Sequence, residues 1–78
     1  MRQFHVAFRS FRQVQDFVSA AMVKPFRVLV GNDSQQVNGK SFIGMFCLDY
    51  SQPLQVSVDC DEAAFVQFRK EVLTLLAP

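Results

Sequence analysis

Over the first nine residues the apolar positions fall at every second place. Phe4, Val6 and Phe8 alternate with Gln3, His5, Ala7 and Arg9. A period of two is a strand with one buried face, so His5 is expected to point away from the core. From Ser10 onward the period lengthens. Val14, Phe17, Val18, Ala21 and Met22 share one helical stripe, and Ser10 with Gln13 matches the S-x-x-Q box that opens a helix. Lys24 and Pro25 close that helix, and the Lys24 charge suits its negative end. Residues 26–30 are β-rich and predict a second strand. The turn formers "GNDSQ" follow, then a short return strand over 35–38 and a second turn at "NGK". Residues 41–49 carry Gly44 inside and predict about two helical turns with Ser41 as N-cap. Met45 and Leu48 would then face the sheet, with Phe42, Ile43 and Phe46 outside.

Pro53 opens the clearest strand. Leu54, Val56 and Val58 are expected inward, Gln55, Ser57 and Asp59 outward. Phe65, Phe68, Val72, Leu75 and Leu76 then recur at three and four, which predicts an amphipathic helix running to the end of the sequence. Asp59 and Glu62 have capping-box spacing, and Asp61 is the alternative cap. The element order is β-α-β-β-α-β-α. With no repeat and no linker, it predicts one α+β domain over 1–78, an antiparallel sheet with helices on one face.

Composition narrows the function. Half of the 78 residues are hydrophobic, with nine Phe and no Trp, so one phenyl-rich core is expected near the lower size limit for a domain without staples. Eight basic and seven acidic residues leave a formal charge of +1, which gives nucleic acid binding no electrostatic support. The longest apolar run is far short of the roughly 20 residues of a membrane span, and "MRQFHVAF" does not read as a signal peptide. Cys47 and Cys60 form neither a CxxC pair nor a zinc set, and with the lone His5 they suggest no metal site. Reduced thiols fit a cytoplasmic protein. No cofactor is indicated.

The stretch "VNGKSFIGMFCLDYSQPLQVSV" raises a different question, because it places a serine directly before a long apolar run. This stretch resembles the corresponding segment of HPr, the small phosphocarrier family of the bacterial sugar phosphotransferase system. In that family a Lys-Ser-Ile-Met-Gly-type sequence follows a hairpin and leads through a short helix into the last strand. Here it reads Lys40, Ser41, Phe42, Ile43, Gly44. The resemblance extends more weakly over the whole chain through element order and length. It implies a four-stranded open-faced sandwich.

It also implies a departure. HPr proteins carry a phosphoacceptor histidine in a His-x-Arg-Pro motif at the start of the first helix. Aligning "QDFV" with that helix puts Ser10 at the histidine, Arg12 at the arginine and Gln13 at the proline. A phosphohistidine N–P bond is labile and suits a relay, whereas a serine phosphate is a stable ester. The resemblance therefore implies a divergent, non-enzymatic member without the family's acceptor, in which Ser10 is a helix cap beside Arg12.

At Ser41 the family implies a second property. In many Gram-positive members the equivalent serine is phosphorylated by a dedicated kinase, and the product binds a transcription regulator of carbon use. Ser41 is thus a candidate regulatory phosphorylation site, and a simple helix cap on the other reading. Phe42, Ile43 and Phe46 correspond to the family's docking surface for partner proteins, and exposed apolar clusters are typical of such surfaces; the competing reading is that Phe42 or Phe46 belongs to the phenyl-rich core. The expected partners are phosphotransferase-system proteins or a transcription regulator, with a serine kinase acting on Ser41 and the chain a monomer or weak dimer. Two alternatives stand beside this regulatory docking module. One is a working phosphocarrier with a different acceptor, and the other is a structural, self-associating domain.

Overall fold

In the computed structural model, which describes residues 1–75, the alternating start of the chain forms β1 (Arg2–Val6). It is followed by α1 (Phe11–Met22), β2 (Val28–Gly31), β3 (Gln36–Asn38), α2 (Phe42–Phe46), β4 (Leu54–Val58) and α3 (Glu62–Glu71). A 3-10 turn over Leu73–Leu75 closes the described chain. The four strands form one sheet in the order β1-β4-β2-β3, every neighbouring pair antiparallel. This is the α+β order that the periodicity predicts.

The register assigns each residue a face. Phe4, Val56, Val30 and Val37 share one row across the sheet, and Val6 with Leu54 and Val28 with Val58 lie on the same side. These residues join Val14, Phe17, Val18 and Ala21 of α1 and Phe68 of α3 in the core. The opposite face carries the rows Gln3–Ser57–Leu29–Asn38 and His5–Gln55–Gly31–Gln36. The helices therefore cover one face only, and the other is open and nearly uncharged. Ser57 points outward as expected, yet it is buried. It is a short side chain on a central strand, flanked in register by Gln3 and Leu29.

Phe68 is the hub of the core. Its ring lies 6.0 Å from Phe4, 5.9 Å from Phe17 and 5.9 Å from Phe26, each in an edge or tilted arrangement. These geometries avoid face-to-face repulsion between ring quadrupoles. Lys24 Nζ sits over the same ring and pairs with Glu71 at 2.6 Å, tying the end of α1 to the end of α3.

Several boundaries differ from the sequence expectation. Phe8 is buried but lies beyond β1. The second strand starts at Val28, because Phe26 turns its ring onto Phe68 instead of joining the ladder. Met22 is exposed. It sits about 100° round the helix from Ala21, at the margin of the stripe and on the last turn. The cap of α1 is Val23, so the Lys24 charge serves Glu71 instead of the dipole of α1. Asp61, not Asp59, caps α3 by accepting the Ala64 N–H at 2.8 Å. α3 stops at Glu71 and tightens into the 3-10 turn, where the Leu75 carbonyl accepts the Ala7 N–H at 2.8 Å. Leu76, expected on the same helix, lies outside the described residues.

Gly39 is needed for packing, since its φ is not positive. A Cβ there would lie 2.7 Å from Val28 Cγ1 and 3.0 Å from Val30 Cγ2. The "NGK" turn can therefore lie flat on the core only with glycine at its centre.

Candidate functional site

The N-terminus of α1 and the short helix α2 meet at one end of the molecule. Ser10 caps α1 by accepting the Gln13 N–H at 3.3 Å. Gln13 completes the cap in an altered form, since its Oε1 accepts the N–H of Arg9, not of Ser10, at 2.6 Å. Ser41 caps α2 by accepting the Gly44 N–H at 3.1 Å, as the sequence predicts. Only five residues follow as helix, with Met45 buried beneath them and Leu48 buried just after. The two-turn helix expected over 41–49 is thus a single turn and a fraction. Its end is fixed by Tyr50, whose hydroxyl donates to the Met45 carbonyl.

Three aromatic rings bridge the two helices on the outside. Phe11 stacks on Phe46 with centroids 5.0 Å apart and planes 23° from parallel. Phe46 in turn lies 6.2 Å from Phe42. Phe11 is 60% exposed, Phe46 47% and Ile43 79%, so these three are surface groups. Phe42 corrects the sequence reading. It is half-buried and packs against the core at the first position of the short helix.

Behind the Phe11–Phe46 stack opens a groove of about 320 Å³. Phe8, Val14 and Tyr50 form its floor and far wall, with Arg9, Ser10, Phe11 and Phe46 around the mouth. Phe8 meets Phe17 at 5.5 Å and Tyr50 at 5.6 Å, both edge-on, so the floor continues into the core. Burial pushes the Tyr50 phenol up, and the Cys47 thiol nearby adds to the shift. Tyr50 is therefore neutral at physiological pH. Hydrogen bonds donated by Ser51 hold the Asp49 carboxyl below its ordinary range.

The structure brings Ser10 and Phe46 together in this groove. Ser41, Phe42 and Ile43 are outside its lining, on the α2 side of the aromatic row. Arg12 is exposed in the first turn of α1. His5 is on the open face of the sheet, with the full sheet between it and the helices. The sequence reading missed Phe8, Phe11 and Tyr50 as parts of the site. The available signal was Phe11, a large apolar side chain at the first helical position and at the edge of the stripe.

Chemically the groove has little to work with. No base is hydrogen-bonded to the Ser10 hydroxyl among the described residues, so nothing activates it as a nucleophile. No cluster of three or more His, Cys, Asp or Glu side chains that could hold a metal occurs among the described residues. None of the described helices is long and apolar enough to cross a membrane. What the site offers is exposed aromatic surface beside two arginines.

A four-stranded antiparallel sheet with three helices on one face, in this order, is the HPr-like open-faced sandwich. Among solved structures, the chain is similar to the crystal structure of HPr-C-His from Thermoanaerobacter tengcongensis. The TM-score is 0.76 at 23% identity, over 97% of this chain and 91% of that one. The likeness is one of fold. No family model and no curated protein matches the chain.

Proposed function

We propose that this chain is a docking module on the HPr-like fold, one that binds partner proteins without relaying phosphate through a histidine. Its partners would be phosphotransferase-system proteins or a regulator of carbon use. The observation that carries the reading is the content of the site. Serine stands at the helix N-terminus where the resemblance calls for the acceptor histidine, and its hydroxyl is used as a cap. Beside it Phe11 and Phe46 expose apolar surface, and Ile43 adds to it from α2. The sole histidine, His5, is on the other face of the sheet.

Ser41 is the position at which we propose regulation by a serine kinase. Its side chain is half-buried and already accepts the Gly44 N–H. A phosphate there would keep acceptor oxygens for that N–H while adding nearly two negative charges beside Phe42 and Ile43. That changes which partners the surface favours.

The test is incubation of the chain with phosphoenolpyruvate and the first enzyme of the phosphotransferase system. No acid-labile phosphate is expected on the chain. Its appearance would favour the working-phosphocarrier alternative. Phosphorylation of Ser41 is checked by mass spectrometry of protein isolated from the source cell. A tight dimer in sedimentation that hides Phe46 would favour the self-associating alternative.

A further inference from the structure

We infer that the groove behind the Phe11–Phe46 stack is a receptor for one large apolar side chain, aromatic or aliphatic, carried on an acidic segment of the partner protein. The inference rests on the docking reading and says what is docked. At about 320 Å³ the groove is at the small end of ligand clefts, sized for one bulky group and not for an extended cofactor. Its walls are the rings of Phe8, Phe11, Phe46 and Tyr50 with the methyls of Val14.

The polar atoms in those walls are largely committed. Tyr50 O–H donates to the Met45 carbonyl, and the Ser10 oxygen accepts the Gln13 N–H. A polar ligand would lose water and find few partners, which disfavours it. An apolar side chain loses nothing there and gains ring contacts.

Charge selects the rest of the partner. Arg9 is at the mouth and Arg12 is exposed on the adjoining turn, and neither forms an ion pair among the described residues. No carboxylate lines the groove. Asp49, next to Tyr50 in the chain, is turned into its own loop, where Oδ1 accepts the Ser51 N–H at 2.9 Å. An acidic segment on either side of the inserted group would meet these cations, in bidentate geometry where a carboxylate reaches a guanidinium. A second copy of this chain is the wrong occupant. Symmetric pairing through this face would bring two copies of Arg9 and Arg12 into one interface, with no carboxylate among the groove's lining residues to offset them.

The experiment titrates the isotope-labelled full chain with three synthetic peptides and follows its backbone amides by NMR. One peptide has a central phenylalanine between glutamates. The second has alanine in its place, and the third has lysines in place of the glutamates. Saturable shifts at Phe8, Ser10, Phe46 and Tyr50 are expected with the first peptide only. Arg9→Glu should weaken that peptide by roughly tenfold and strengthen the lysine one. Phe46→Ala should abolish the response while leaving the amide spectrum folded. Equal response to the alanine peptide, shifts confined to another surface, or indifference to Arg9→Glu would each overturn the proposal. So would concentration-dependent shifts at these amides without peptide, which point to a second copy. Acid-labile phosphate in the phosphotransfer test leaves the peptide result standing. Partner capture through this face with no peptide response removes the receptor and spares the docking reading.

Discussion

Phe4, Phe17 and Phe26 each meet Phe68 in an edge-on or tilted arrangement between the sheet and the two long helices, and Phe68 is fully buried. At one end of the molecule Phe11, Phe46 and Phe42 form a second row of rings, and two of the three are exposed. The residue type is the same and the roles differ. In the first group Phe4, Phe17 and Phe68 are buried and Phe26 is half-buried against them, so removing one of the buried rings leaves a void. In the second, one side of the row faces water, so removing a ring leaves room for solvent and takes away contact surface. The comparison teaches that an abundance of phenylalanine does not by itself mean a larger core. Part of the apolar content stays at the surface.

The comparison breaks most visibly at its centre. Phe68→Ala should destabilise the domain by about 3–5 kcal/mol, a large share of what a small domain possesses. Thermal unfolding measures this, and a melting temperature close to wild type would mean that Phe68 is not the hub. Gly39→Ala probes the same core from the turn side. Its new methyl would press on Val28 and Val30, and overpacking of this kind costs about 1–3 kcal/mol. Urea titration should show the midpoint falling with little change in slope.

Ser41 caps the helix that carries Phe42 and Phe46. Ser41→Ala should lower stability by about 1 kcal/mol, while Ser41→Asp keeps the cap and stays near wild type. If both variants melt together, the Gly44 N–H does not depend on that oxygen. Phe46→Ala sharpens the comparison from the exposed side. It should change stability by less than about 1 kcal/mol, well below the Phe68 effect, and should lose partner capture from the source cell. An equal loss of stability at positions 46 and 68 would erase the distinction between the rows.

The smallest effect concerns the ion pair beside Phe68. Hydrogen bonds from Lys24 and Gln67 hold the Glu71 carboxyl below its ordinary value of about 4.5. A carboxyl depressed in the folded state stabilises the fold above its unfolded pKa. That contribution fades as pH falls through the folded value. Glu71→Gln should therefore cost about 0.2–1 kcal/mol near neutrality and progressively less in acid. Stability measured across the acid limb would show the two curves converging. A constant gap would mean that Lys24 is held by the Phe68 ring alone.

Periodicity and turn chemistry, which are local, were enough to determine much of this protein. Alternation at Leu54, Val56 and Val58, the stripe from Val14 to Ala21, and Ser10 and Ser41 as caps each follow from geometry within a few residues. The order of the elements and the α+β class follow from them. Tertiary structure decided what depends on distant neighbours. Phe11 and Phe46 are far apart in sequence, so no local period could show that they stack. Phe42 and Phe46 occupy the same side of one short helix, and only the packing of that helix half-buries one and exposes the other. The placement of Phe26 on Phe68 and the burial of Ser57 between Gln3 and Leu29 were likewise set by residues distant in sequence. The groove belongs to this second kind. Its walls come from the segment between β1 and α1, the start of α1, the end of α2 and the loop beyond it, and only the folded chain brings those four pieces together.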